Sequence, residues 1–280
     1  MRGHGDGKFG VVRVAWAFFG AATLALGFAP ARADSPLAAC KDAGEPFATV
    51  EAAGARDGAT IRLADGRELR IAGVIAANDL DGDPEAVRRA TAALDALVAG
   101  KRLALYGKPD TKDRYGRIVA QAALAEEPRW IAAELVAAGM LRIAPEAGAP
   151  ACADALQIHE RNARLAKLGF WAESRFAVQD AQAIEALNAA RGRFAIVEGS
   201  VQRVGESGGR TFLDFGRRYS QDFTIVVPRA AQAAFQAAGI DLKAMRGKRV
   251  RVRGVLYSFG GPAIEARLPA ALEVLDGEKM

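Results

Sequence analysis

Histidine, cysteine and aromatic residues are scarce in this chain of 280 residues. It contains two histidines and two cysteines, and aromatic residues make up 7% of it. Beyond the first 33 residues the only histidine is His159, and no metal-ligand spacing occurs, so the sequence predicts no zinc site. The composition, 51% hydrophobic and 25% charged, excludes a disordered, collagenous or coiled-coil protein and favours a folded globular one.

Long hydrophobic runs are also missing, with one exception near the N-terminus. Residues 14–28 are apolar, basic residues precede them, and Ala31-Arg32-Ala33 follows as a small-x-small cleavage motif. This pattern predicts a signal peptide over residues 1–33; the alternative is an uncleaved N-terminal anchor. No other stretch is apolar enough to cross a bilayer. The mature protein is therefore expected to be exported, either to a periplasm or out of the cell, without a membrane span.

The two cysteines, Cys40 and Cys152, both follow the predicted cleavage site. Export places them in an oxidising environment, where an even number of cysteines favours a disulfide. Such a bond would close a loop of about 110 residues, worth roughly 4–5 kcal/mol of stability by the chain-entropy model. The alternative is two unrelated buried thiols.

The net charge of +5 is unevenly distributed. Basic residues exceed acidic ones in residues 194–280, whereas the two signs nearly cancel in residues 34–193. A single broad basic surface is therefore excluded, and attraction for polyanions is expected in the last third of the chain.

The pattern of residues 34–175 predicts three strands, a helix, two strands and then two helices. Asp65-Gly66 is typical of a hairpin turn, and Asp83-Pro84 is typical of the start of a helix. This order predicts a mainly β fold with helices (α+β), built on a five-stranded Greek-key OB-fold barrel.

The remainder of the chain repeats this order. An Ala- and Gln-rich stretch predicts a helical linker over residues 176–193. Residues 194–280 then predict three strands, a helix and further strands, which indicates a second OB-like β-barrel domain.

Three motifs in residues 46–173 together resemble the thermonuclease (staphylococcal nuclease-like) family. They are Asp57-Gly58-Ala59-Thr60 with Arg70-Ile71-Ala72-Gly73-Val74, then Asp113-Arg114-Tyr115-Gly116-Arg117, and last the spacing of Glu160, Ala163, Arg164, Gly169 and Trp171. The resemblance implies an OB-fold and a nuclease ancestry. In that family two aspartates and a backbone carbonyl hold calcium, a glutamate orients the attacking water, and two arginines hold the phosphate.

Matched residue by residue, this chain keeps the arginines of that family but not the acids. Arg70 and Arg117 stand at the two phosphate-arginine positions, and Asp57 is the one acid retained. The metal and general-base positions are Ala59, Ile75 and Asn78. One carboxylate is a poor calcium site, and an asparagine has no carboxylate to act as a base. We therefore expect a pseudoenzyme without a cofactor, which serves as a nucleic-acid, envelope-binding or structural protein.

An active metal-dependent phosphodiesterase, an endonuclease on DNA or RNA, is the alternative. It would need Ca²⁺ and acids relocated to the loop that carries Asp79, Asp81 and Asp83. The competing interpretation of these three aspartates is a solvated loop that caps the next helix.

The two retained arginines also have structural interpretations. Arg70 could pair with Glu68 or Asp57 across the hairpin, and Arg117 could be a charge on the barrel rim.

The second predicted barrel carries an alternating basic strand. Arg249, Arg251 and Arg253 share one face, and valines occupy the other. This face is predicted to bind single-stranded nucleic acid or another anion. The alternative is a solvated face whose arginines pair with Glu265 or Asp214.

Overall fold

The computed structural model describes Gly3 and residues 35–41, 43–78, 81–127, 129–218 and 221–275. Apart from Gly3, the predicted signal peptide over residues 1–33 lies outside the described residues, and so does Asp79.

The first part of the chain forms a closed barrel of five strands, as predicted. The strands are β1 (Ala48–Asp57), β2 (Thr60–Leu63), β3 (Glu68–Ile71), β5 (Arg102–Tyr106) and β6 (Ile118–Leu124). They pair in the order β1-β2-β3-β6-β5 around the barrel. The β3–β6 pair is parallel and the other pairs are antiparallel. The predicted OB-fold is confirmed by this topology.

The hairpin between β2 and β3 turns at the predicted residues. Gly66 has φ +85°, a conformation that glycine adopts without strain. The Asp65 carboxylate accepts a hydrogen bond from the Arg67 backbone N–H at 3.0 Å. The turn sets a register in which Ile61 faces Leu69, and both side chains are buried in the barrel.

Helix α1 (Pro84–Val98) begins where the sequence predicts. The Asp83 carboxylate accepts hydrogen bonds from the backbone N–H groups of Glu85 and Ala86, at 3.1 and 3.0 Å. Its buried residues recur every four positions and cover the barrel: Ala86, Ala90, Leu94 and Val98.

Two helices complete this half. They are α2 (Ile131–Ala137) and α3 (Ala153–Leu165). The short strand β7 (Arg142–Ile143) lies between them in the chain and pairs with β4 (Val74–Ile75). Cys40 and Cys152 form the predicted disulfide, which ties the segment before the barrel to the start of α3.

The second half is a sheet of eight strands. They are β8 (Gln179–Asp180), β9 (Phe194–Ser200), β10 (Arg203–Ser207), β11 (Arg210–Asp214), β12 (Thr224–Val227), β13 (Arg249–Phe259), β14 (Gly261–Glu265) and β15 (Leu272–Val274). The order is β10-β11-β12-β14-β13-β9-β8, and β15 pairs with β13.

This sheet repeats the pairing order of the first barrel. Two residues separate β9 from β10; β9 pairs with β13 and β10 pairs with β11, so together they take the place of β1, which pairs with both β5 and β2. Apart from β8 and β15, the sheet then has the same antiparallel pairs as the barrel and the same single parallel pair, β12 with β14. Helix α5 (Arg229–Ala237) lies between the third and fourth strands, as α1 does in the barrel.

The predicted linker differs from the expectation. Its helix is confined to α4 (Ile184–Ala189), because the residues before it form strand β8. Strand β8 pairs in parallel with β9, and the Ala181 N–H continues the pairing by donating to the Glu198 carbonyl at 2.9 Å. The open edge of β9 satisfies these backbone groups, so the segment joins the second sheet.

Each half has its own hydrophobic core, and Asp34–Met280 form one compact unit. A third, small cluster brings Ala163 and Trp171 together with Ile196 of β9. Among the described residues, no helix combines the length and the apolar character that crossing a membrane requires.

Candidate functional site

The Arg70 guanidinium is held by main-chain carbonyls. Arg70 is half-buried on β3 and donates to the carbonyls of Ala59, Ile71 and Val74, at 3.1, 2.8 and 2.7 Å. Burial lowers its pKa, against the opposing effect of the nearby Asp57 carboxylate. Of the two acids that the structural interpretation offers to Arg70, Glu68 instead pairs with Arg56 at 2.5 Å. Arg70 therefore fastens the β1–β2 turn to the chain after β3.

Arg117 lies beside Arg70 at the same end of the barrel. Its guanidinium pairs with Asp113 at 2.7 Å and donates to the Thr60 hydroxyl at 3.2 Å. Thr60 is also the residue that lies opposite Arg70 in the β2–β3 pairing, so both arginines adjoin the same position of β2. The structure thus brings the two predicted phosphate arginines together.

Tyr115 forms the exposed tip of the loop that carries Arg117, and the sequence motif assigns it no role. Its side chain is 67% exposed. The guanidinium carbons of Arg114 and Arg117 lie 4.7 and 5.2 Å from the centre of its ring. Tyr115 stands within the Asp113–Arg117 motif, so its position in that motif was the available signal.

The position where the family would hold calcium is apolar. Of the three positions assigned to the metal and the general base, Ala59 is buried in the hydrophobic core, and Ile75 and Asn78 are partly exposed. The neighbouring Ala76 and Ala77 are also buried in that core. The backbone of Gly58 is packed so closely that an added Cβ would lie 2.6 Å from the Cβ atoms of Ala76 and Ala90. Helix α1 therefore packs directly against the turn that carries Ala59.

The carboxylates of Asp57 and Asp81 form hydrogen bonds with backbone groups of this region. The Asp57 carboxylate accepts the Ala59 N–H at 2.8 Å and so closes the β1–β2 turn. Asp81 is buried; its Oδ2 accepts the Asn78 N–H at 3.0 Å and lies 3.5 Å from Nη2 of Arg142.

Asp83 caps helix α1, which agrees with the capping interpretation of the aspartate loop. The backbone N–H of Ala86 is the main cause of its lowered pKa. Within the described residues, no group of three or more histidine, cysteine, aspartate or glutamate side chains could hold a metal ion.

The predicted arginine face of the second sheet has the expected alternation but lies partly inside the protein. Val250 and Val252 are fully buried, as expected. Arg253 is also buried, with 1% of its side chain exposed, so its assignment to an outer face is wrong. The physical reason is that β13 crosses the boundary between the two halves, where Arg253 donates to the Ile143 carbonyl of β7 at 3.3 Å.

The acidic partners of these arginines are not the predicted ones. Arg249 and Arg251 pair with Glu198, at 2.5 and 2.7 Å, and Arg251 also pairs with Glu273 at 3.1 Å. Arg253 pairs with Glu160 of α3 at 2.9 Å and with Glu273. The three arginines thus belong to one ionic network that joins β13 to both halves of the protein.

The arginines and glutamates of this buried network favour one another's charged forms. Burial opposes the charge of Arg253, yet Glu160 and Glu273 keep its pKa above the ordinary value. Burial also opposes the charge of Glu273, while Arg253 and Arg251 lower its pKa. Glu160, a residue of the predicted family motif, additionally accepts the Ile143 N–H at 2.8 Å.

Comparison with known proteins agrees with the barrel geometry. Residues 85–173 match the model of a family described as Staphylococcal nuclease homologue. The match confirms the predicted thermonuclease-like resemblance and includes Arg117 and helix α3. The matched residues begin after Arg70. The comparison of positions 57–78 with the family's first motif therefore depends on the hairpin and strand order described above. No curated protein matches the chain significantly.

Proposed function

We propose that this protein binds single-stranded nucleic acid through its thermonuclease-like barrel without hydrolysing it by calcium chemistry, and that it acts after export. The observation that carries the loss of hydrolysis is that Ala59, Ile75 and Asn78 bring no carboxylate to the positions of the calcium ligands and the base, and that Ala59 is buried in the hydrophobic core. A calcium ion needs six to eight oxygen ligands, and the one acid retained there, Asp57, already accepts the Ala59 N–H in the turn.

The binding part of the proposal is supported by the Tyr115 loop, which we define as residues 107–117. A tyrosine with an exposed ring can stack on any nucleobase, and neighbouring arginines attract the phosphates. Lys108, Lys112 and Arg114 are exposed on the same loop. The loop therefore combines an aromatic face with positive charge, which suits an unpaired strand.

Export is the second part of the proposal. It is supported by the signal-peptide pattern over residues 1–33 and by the disulfide between Cys40 and Cys152, which is typical of oxidising compartments.

The first experiment tests hydrolysis. Purified protein is incubated with single-stranded DNA and with RNA in the presence of Ca²⁺, and the products are separated by gel electrophoresis. We expect no cleavage. Cleavage that disappears in Asp81→Ala would instead support the active phosphodiesterase with relocated acids.

The second experiment tests binding. Fluorescence anisotropy of a labelled oligonucleotide is expected to show binding that weakens steeply with salt. We expect Tyr115→Ala to lower the affinity about tenfold, because base–aromatic stacking contributes roughly 1–3 kcal/mol. Tyr115→Phe keeps the ring and serves as the matched control with near-normal affinity. Absence of binding at low salt would favour a purely structural role.

A further inference from the structure

A cleft of about 360 Å³ is lined by residues of both halves of the protein, and none of its described lining residues belongs to the Tyr115 loop. Its walls come from residues 174–179, helix α4 and the start of β9, and Asp81 and Arg142 complete it. Clefts of this size at a boundary between substructures are common ligand sites.

Arg142 is a buried cation with weak partners. Only 2% of its side chain is exposed. Its Nη2 atom lies 3.5 Å from the Asp81 carboxylate and its Nη1 atom lies 3.4 Å from the Phe194 carbonyl, both long for hydrogen bonds. Its Nε atom has no hydrogen-bond partner among the described residues. Burial lowers the pKa of Arg142, so its desolvation is incompletely compensated.

Two aromatic rings accompany this guanidinium. The Arg142 guanidinium carbon lies 5.0 Å from the ring centre of Phe176 and 5.2 Å from that of Phe194. Both rings also line the cleft. They hold the guanidinium in place and give the cleft an apolar wall.

Two further arginines line the cleft and have loose partners. Arg193 donates to the Ala189 carbonyl at 3.0 Å and pairs with no acid among the described residues. Arg175 lies 3.8 Å from Asp83 and 3.7 Å from Glu173. Asp81 is the one acid among the described residues that line the cleft. The described lining thus has three guanidinium groups and one carboxylate, while the Asp83 and Glu173 carboxylates beside Arg175 lie outside it.

We propose that this cleft binds a small phosphate monoester, with the phosphate on the arginines and the esterified group against Phe176 and Phe194. A phosphate monoester carries about −1.5 to −2 charge near neutral pH, which matches the excess positive charge of the lining. Arginine also matches phosphate oxygens with paired N–H donors. The site is independent of the proposed nucleic-acid surface.

The experiment is isothermal titration calorimetry of the purified protein with phenyl phosphate, inorganic phosphate and phenol. We expect phenyl phosphate to bind about tenfold more tightly than inorganic phosphate, because burial of the ring adds to the ionic contacts. Phenol, which lacks the charge, is expected to bind more weakly than phenyl phosphate. No measurable binding of phenyl phosphate at millimolar concentration, or an affinity equal to that of inorganic phosphate, would overturn the proposal.

Three variants test the assignment of the residues. Arg193→Gln is expected to weaken phenyl phosphate binding about fivefold, since the lost contact is a partly exposed charge-assisted hydrogen bond. Arg191→Gln removes an exposed arginine that donates to Asn188 outside the cleft, and it is expected to leave binding unchanged. Asp81→Asn removes the opposing negative charge and is expected to tighten binding severalfold.

Circular dichroism of each variant verifies that it is folded. If Asp81→Asn fails to fold, the comparison of Arg193→Gln with Arg191→Gln decides the question. Equal losses in these two variants would show general charge attraction and overturn the site.

Discussion

Arg70 and Arg117 of the first barrel differ from Arg251 and Arg253 of the second sheet in their bonding partners and in their exposure to solvent. In the first barrel, Arg70 bonds to uncharged carbonyls, and Arg117 remains partly accessible beside an exposed tyrosine. In the second sheet, both arginines are paired with glutamates, and Arg253 has no access to solvent. The arginines that match the phosphate positions of the thermonuclease-like family thus remain close to a surface, whereas Arg253, which the sequence places on a binding face, links the two halves through Glu160.

The largest expected effect comes from breaking the buried network. Arg253→Ala leaves Glu160 buried without its main partner, and we expect a loss of about 3–5 kcal/mol in the free energy of unfolding. Arg249→Ala is the matched control on the same strand, because Arg249 is half exposed and its loss is expected to cost about 0–1 kcal/mol. Urea denaturation measures both. Equal losses in the two variants would contradict the distinction between buried and exposed arginines.

A smaller effect separates the two arginines of the first barrel. Arg70→Ala removes three charge-assisted hydrogen bonds to carbonyls, so we expect a loss of about 2–3 kcal/mol in unfolding free energy. Arg117→Ala removes a partly exposed ion pair and is expected to cost about 1 kcal/mol. Urea denaturation measures the unfolding free energy of both variants. A greater loss for Arg117→Ala would show that Arg117 is the structural residue of the pair.

The pH dependence of stability tests the charged state of the network. Because the folded-state pKa of Glu273 is lowered, its contribution is present above the unfolded value of about 4.3 and lost as the pH falls below it. We expect Glu273→Gln to be less stable than the natural chain at pH 7, with a difference that narrows at pH 3. Glu265→Gln, which alters an exposed pair with Arg267, is the control and should show little pH dependence. A difference for Glu273→Gln that stays constant with pH would contradict the assignment.

The smallest expected effect concerns the aspartate loop. Asp83→Ala removes the N-cap of helix α1 and is expected to cost about 1 kcal/mol in unfolding free energy. Asp83→Ser keeps a capping oxygen and should restore most of that loss. Calcium is expected to have no effect on the melting temperature of either variant. A calcium-dependent difference between them would show that Asp83 is a metal ligand.

Much of the fold was predictable because it depends on local patterns. The turn at Asp65-Gly66, the cap at Asp83 and the four-residue spacing of helix α1 each act over a few neighbouring residues. The linker was predicted less well. Residues 176–190 have the composition of a helix, but the edge of β9 was available for pairing, and that edge is formed by distant residues.

The candidate site likewise has features that the residue types predict and features that depend on distant parts of the chain. The residue types alone establish that Ala59, Ile75 and Asn78 bring no acid to the positions of a calcium site, because no fold can supply a carboxylate that the side chain lacks. Which arginines remain accessible follows from the folded arrangement and not from the residue types. Burial and pairing depend on residues far apart in the chain, such as Glu160 and Arg253, and alternation along one strand cannot reveal what packs against its outer face.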